Sequence, residues 1–136
     1  MNVYKQTIDE LAVICHERSR EKGFREFETI AAQLLTDAEV TVDEMHWFNA
    51  TVIQAEIARM HSELSEWLEA VRNQPSSGKT ICDKHLPELP SQAVEAADCI
   101  IRILDTCGRY RLPIGQAVVQ KLEYNASRPY KHGKNS

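Results

Sequence analysis

Apolar residues recur along the middle of the chain at Ile53, Ile57, Met60, Leu64, Trp67 with Leu68, and Val71, in steps of four and three. That is the stripe of an amphipathic helix packed on other helices. Thr41-Val-Asp-Glu44 reads as a capping box opening this helix, which runs to about Asn73. Upstream, Thr7-Ile-Asp-Glu10 reads as another capping box. Ile8, Leu11, Ile14 and Cys15 form the apolar side of the helix it opens, and Gly23 ends it. A shorter helix is predicted over Phe24 to Leu35, with Phe27, Ile30, Ala31 and Leu34 inward. Residues 74–90 hold three prolines, a glycine and two serines, and read as a loop. Its length suits a lid or binding loop, and its composition suits a plain linker equally well. Ser91 is the expected cap of the next helix, which continues to about Arg109. Its apolar residues Val94, Ala97, Ile100, Ile101, Ile103 and Leu104 cover more than half the helical wheel. Such a helix requires burial on two sides, part of it from another subunit, so a homo-oligomer is expected. Pro113 stands near the first turn of a last helix, with Ala117, Val118 and Leu122 inward. No segment reads as a strand series. The expectation is an all-α helical bundle of about five helices in one domain over 1–136: N-terminal helices in 1–40, catalytic helices in 41–130 and a basic tail in 131–136.

Two acidic pairs stand out on this frame. Glu63 and Glu66 lie one turn apart on the long helix, and Glu95 and Asp98 repeat the spacing on the next. At about 100° per residue, Glu63 falls at the edge of the apolar stripe, Glu66 about 60° further round and Glu69 towards solvent. A neighbouring helix can therefore reach the first two. On an exposed helix such pairs repel by only a few tenths of a kcal/mol, and solvated helix faces commonly carry them. Should the pairs converge, the scale changes: charges 4 Å apart repel by roughly 4 kcal/mol at an effective dielectric of 20. Four converging carboxylates need protons or a cation, and oxygen-only ligation selects a hard ion, Mg²⁺ or Mn²⁺.

Composition narrows the classes. Hydrophobic residues make up 43% and charged residues 26% of 136, which is ordinary for a globular domain. A net charge of −4 does not suggest a nucleic-acid binder. No apolar run is long enough to span a membrane. The N-terminal stretch lacks a signal-peptide pattern, and Cys15, Cys82, Cys99 and Cys107 form no CxxC pair. These features lead to the expectation of reduced thiols in a cytoplasmic protein. Gly78-Lys-Thr80 resembles the end of a P-loop, but Asn73 stands where that motif requires glycine. A di-iron carboxylate bundle requires two Glu-x-x-His motifs, and neither is present.

The C-terminal stretch is basic, with Lys121, Arg128, Lys131, His132 and Lys134. Lys121, Asn125 and Arg128 fall at i, i+4, i+7, presenting two cations and an amide on one face. That face suits phosphate oxygens, and equally a solvated helix end whose positive charge complements the dipole. Trp47, with Phe48 and Asn49, is a candidate base-stacking surface or else core.

Taken together, four segments resemble the MazG-like, all-α nucleoside triphosphate pyrophosphohydrolases. They are Ser62-Glu-Leu-Ser-Glu-Trp-Leu-Glu-Ala-Val-Arg72, His85-Leu-Pro-Glu88, Glu95-Ala-Ala-Asp-Cys-Ile-Ile-Arg-Ile-Leu-Asp105 and Lys121-Leu-Glu-Tyr-Asn-Ala-Ser-Arg-Pro-Tyr-Lys-His-Gly-Lys134. The resemblance covers residues 50 to 134; residues 1–45 match no motif. It implies Mg²⁺ held by Glu63, Glu66, Glu95 and Asp98, and phosphate contacts from Lys121, Asn125 and Arg128 with Tyr124 nearby. The implied reaction cleaves a nucleoside triphosphate to monophosphate and pyrophosphate, in a homodimer or homotetramer. Some relatives carry a further acid just before the first ligand, where this chain has Ser62; Glu66 or Glu69 then takes the water-activating role. The competing reading is a non-catalytic helical homo-oligomer acting as an interaction or regulatory module.

Overall fold

A computed structural model describes residues 2–129; the basic tail expected at 131–136 lies outside the described residues. The described chain holds five helices: α1 (Asn2–Glu21), α2 (Glu26–Asp37), α3 (Val42–Arg72), α4 (Ser91–Arg109) and α5 (Ile114–Ser127). No strand occurs among the described residues; one isolated bridge joins Cys82 to Pro90. The all-α class and the long third helix agree with the sequence reading.

Helix α4 packs against both α1 and α3, while α5 packs on α1. The buried core is small: Ala12, Leu104 and Cys107, with Ile8, Cys15 and Ile114 packed against them. Two glycines set how closely the helices approach. A Cβ at Gly108 would overlap the carbonyl oxygen of Ala12, and one at Gly115 would overlap that of Lys5. The backbones of α4 and α5 therefore lie directly on that of α1.

Several helix ends follow the expected chemistry and others depart from it. Thr41 and Glu44 form the capping box, with Glu44 N donating to Thr41 Oγ1 at 3.3 Å and Thr41 N to Glu44 Oε2 at 2.9 Å. Gly23, at φ 77°, follows the end of α1. Thr7, in contrast, caps nothing: α1 starts five residues earlier, and the Thr7 hydroxyl donates back to Val3 O at 2.9 Å. Ser91 is not an N-cap either. Pro90 occupies that position, while the Ser91 hydroxyl donates to Ile81 O at 3.1 Å and ties loop to helix. The start of α5 has no cap of its own; Asp9 of α1 accepts from the buried Gly115 N at 2.8 Å and satisfies one of the donors left without an intrahelical partner there.

The apolar faces assigned inward are only partly covered. Phe27, Ile30 and Leu34 of α2 are exposed and only Ala31 is buried. Ile57, Leu64, Trp67, Leu68 and Val71 of α3 are all partly open, and Leu122 of α5 is exposed. These stripes exist as the periodicity requires, but one chain supplies too few helices to cover them.

Gly108→Ala is expected to destabilise the fold by about 1–3 kcal/mol through overpacking of α1 on α4. The gain of roughly 1 kcal/mol in helix propensity does not offset this. Urea unfolding followed by circular dichroism measures the difference.

Candidate functional site

Helices α3 and α4 pack against each other, and each carries one of the two acidic pairs. Glu63 is the more enclosed of the α3 pair, its side chain 14% exposed, while Glu66 is exposed. Burial, and then the charge of Glu63, raise the Asp98 carboxyl above its ordinary value. Burial, and then the charges of Asp98, Glu66, Asp83 and Glu63, raise Glu95. The carboxylates are thus close enough to feel one another across the helix pair.

Asp83 is a fifth member that the sequence reading did not identify. Its Oδ1 accepts from His85 N at 2.8 Å and Leu86 N at 2.9 Å, an Asx turn inside the 73–90 connection. Those backbone donors lower its own carboxyl below the ordinary range. The connection is held further by Gln74, whose Oε1 accepts from Ile81 N at 3.1 Å, and by Asp83 N donating to Leu89 O at 2.9 Å. It is an ordered loop that delivers a carboxylate to the cluster. The visible signal was an aspartate followed by a turn-forming run, Asp83-Lys-His-Leu-Pro87.

Glu63, Glu66 and Asp98 form one wall of a cleft of about 860 Å³. Leu11, Ile14, Cys15 and Ile101 supply apolar lining, and Arg18, Lys22 and Phe24 come from the end of α1 and the turn after it. Arg102 donates from Nε to Glu63 Oε1 at 2.9 Å, and its guanidinium lies 5.8 Å from the Phe24 ring centroid. Among the described residues, no three His, Cys, Asp or Glu side chains close on a common point as metal ligands do. The donor set still fits a hard divalent ion in kind: it is all carboxylate, and burial together with mutual repulsion, which raise Glu95 and Asp98, are penalties on negative charge that a cation relieves. In these rotamers the Arg102 guanidinium supplies positive charge to Glu63.

The other assigned residues lie elsewhere. Lys121 Nζ sits 4.9 Å and the Arg128 guanidinium 5.8 Å from the Tyr124 ring centroid, so the α5 ladder with Asn125 is one exposed group. It does not line the acidic cleft. Trp47 is 76% exposed and precedes Glu63 on the same helix. Sixteen residues of α-helix separate them, about 24 Å at 1.5 Å per residue. Within one chain neither Trp47 nor the α5 ladder reaches the carboxylates.

Behind the cleft lies a buried ionic network that the sequence reading also missed. Arg25 donates to Glu28 Oε1 and Asp105 Oδ2, each at 2.6 Å, and to Glu56. Arg109 reaches Glu56 at 2.8 Å and also pairs with Glu28. Ser19 donates to Asp105 at 2.7 Å, and His16 Nδ1 lies 3.1 Å from the same carboxylate. Burial disfavours the Arg25 charge, but hydrogen bonds to Glu28 and Glu56 and the charge of Asp105 outweigh it and hold the group above its ordinary value. Burial, and then the Asp105 charge, push the Cys15 thiol up, so the cleft's cysteine is a poor nucleophile. A signal was available: Glu56 falls in the α3 stripe between Ile53 and Met60, and Asp105 falls one turn after Ile101. A charge in a stripe position marks a buried partner.

Comparison with protein-family models, curated proteins and solved structures gives no match for this chain.

The folded-state carboxyl of Asp98 is raised, so its charged form opposes folding above that raised value and the penalty vanishes as pH falls through the ordinary aspartate range. Asp98→Asn is therefore expected to raise the melting temperature of the metal-free protein at pH 7. The gain should shrink towards zero below about pH 4, where aspartate is neutral in both states. Thermal melts at stepped pH measure it.

Proposed function

We propose that the chain is a Mg²⁺-dependent, MazG-like nucleoside triphosphate pyrophosphohydrolase that cleaves (d)NTP to (d)NMP and pyrophosphate. What supports this reading is a cleft of about 860 Å³ whose wall carries Glu63 and Glu66 of α3 and Asp98 of α4, with Glu95 one turn before Asp98 on the same helix. That volume lies within the range of small-molecule sites. The four carboxylates would hold Mg²⁺ or Mn²⁺, with Asp83 adding negative charge nearby. When bound, such an ion would supply charge neutralisation for the phosphates and activation of water. Glu66, which lines the cleft, is the proposed proton acceptor for the attacking water. Arg102 positions Glu63 and keeps a positive charge at the acidic wall.

The same reading includes a homodimer or homotetramer. A folded monomer of 15.5 kDa ordinarily exposes about 7,200 Å². This chain exposes 10,660 Å². The excess surpasses the roughly 800 Å² per partner of a standard interface. The open stripes of α2, α3 and α5 provide the apolar surface for it. Assembly would also allow Trp47 and the α5 ladder of one copy to approach the acids of another.

Two measurements test the reading. Pyrophosphate release from a nucleotide panel is expected with Mg²⁺ and should cease in chelator; release that continues unchanged in chelator refutes the metal role. Glu63→Gln and Asp98→Asn should each lower turnover by about a hundredfold or more, the scale of losing a preorganised electrostatic group, with helical content retained. The competing view, a non-catalytic helical module, expects no turnover from any nucleotide. Light scattering after size exclusion should give a mass at least twice 15.5 kDa; a monomer at micromolar concentration would refute the assembly.

A further inference from the structure

The acidic wall of the cleft poses a problem for any nucleotide. A triphosphate is an anion, and Glu63, Glu66 and Asp98 repel it. A bound metal would offset part of this charge, but a phosphate chain also needs cations of the protein. The α5 ladder of the same chain does not line the cleft. Arg18 and Lys22 do, at the C-terminal end of α1 and facing the same space as the acids.

We infer that Arg18 and Lys22 grip the phosphate chain in the cleft of their own subunit, with Phe24 as a stacking surface for the base. The inference rests on the pyrophosphohydrolase reading. Neither cation is committed elsewhere among the described residues. Arg18 makes only a loose, exposed contact with Glu21 at 4.0 Å, and Lys22 makes no ion pair. Positive charge at a helix C-terminus is ordinary, because it complements the dipole. That accounts for Arg18 and Arg20, but Arg20 points away and lines a different surface hollow. It does not account for two cations one turn apart on the cleft wall, beside an aromatic ring left 65% exposed.

The turn carrying Lys22 and Phe24 is held in place. Gly23 adopts φ 77°, a left-handed conformation that glycine takes without steric cost. The next residue after Phe24 is Arg25, anchored by its buried bonds to Glu28, Glu56 and Asp105. Ser19, one residue after Arg18, is bonded to Asp105 as well. A grip built on pinned elements loses little freedom on binding. Phe24 can stack a base of any identity, so this wall selects nucleoside polyphosphates as a class and leaves base choice to other groups.

The test is calorimetric titration of the full chain, in Mg²⁺, with inorganic pyrophosphate and with a nucleoside triphosphate analogue carrying an α–β imido link. The double variant R18Q/K22Q is expected to bind both at least tenfold more weakly, with Mn²⁺ affinity by electron paramagnetic resonance unchanged within twofold. F24A is expected to weaken the analogue at least fivefold and leave pyrophosphate unchanged. Unaltered pyrophosphate affinity in R18Q/K22Q, with the loss found in K121A instead, overturns the assignment and moves the grip to α5. A parent chain that binds neither ligand in Mg²⁺ overturns the pyrophosphohydrolase reading along with it.

Discussion

One buried guanidinium holds four helices in relation to one another. Arg25, at the head of α2, bonds to Glu28 on its own helix, Glu56 on α3 and Asp105 on α4, and Asp105 takes Ser19 and His16 of α1. Ionic groups are a costly way to join helices, because both partners must leave water, and packed apolar residues of similar volume often do as well or better. Breaking such a set is another matter: removing one partner strands a buried charge at a cost of about 3–5 kcal/mol. Glu56 and Asp105 are each only 4% exposed, so they have no recourse to solvent. The apolar core of one chain is small, and this network gives α2 a fixed place that its own exposed Phe27, Ile30 and Leu34 do not.

The network also explains how the cleft keeps its shape. Asp105 is shared between the buried charges and the cleft lining. Arg102, three residues before it on α4, reaches Glu63 on α3. The acids therefore rest on a layer of oriented charges rather than on soft apolar packing. Their repulsion is local and their supports are not: α3 and α4 supply the pairs, and the Asx turn at Asp83 adds a charge from the loop.

Much of this was readable from spacing alone, and the misses have physical reasons. The five helices, the Thr41 cap and the Gly23 stop followed from periodicity and local chemistry. Thr7 misled because Ser and Thr bond equally well to a carbonyl one turn back inside a helix. The inward assignments of Phe27, Leu34 and Leu122 misled because a stripe states that a face needs cover, not which molecule provides it. Asp83 escaped because a loop's path is tertiary information. Glu56 and Asp105 were open to detection as charges within apolar stripes, but their partner Arg25 stands in a turn that no periodicity marks.

The two glycines under α1 have a mechanical consequence. With the carbonyls of Ala12 and Lys5 seated where side chains would be on α4 and α5, α1 cannot slip along its axis by a turn without driving those oxygens into Cβ atoms at neighbouring positions. Translation is blocked and tilting about the glycine contacts is the softer mode.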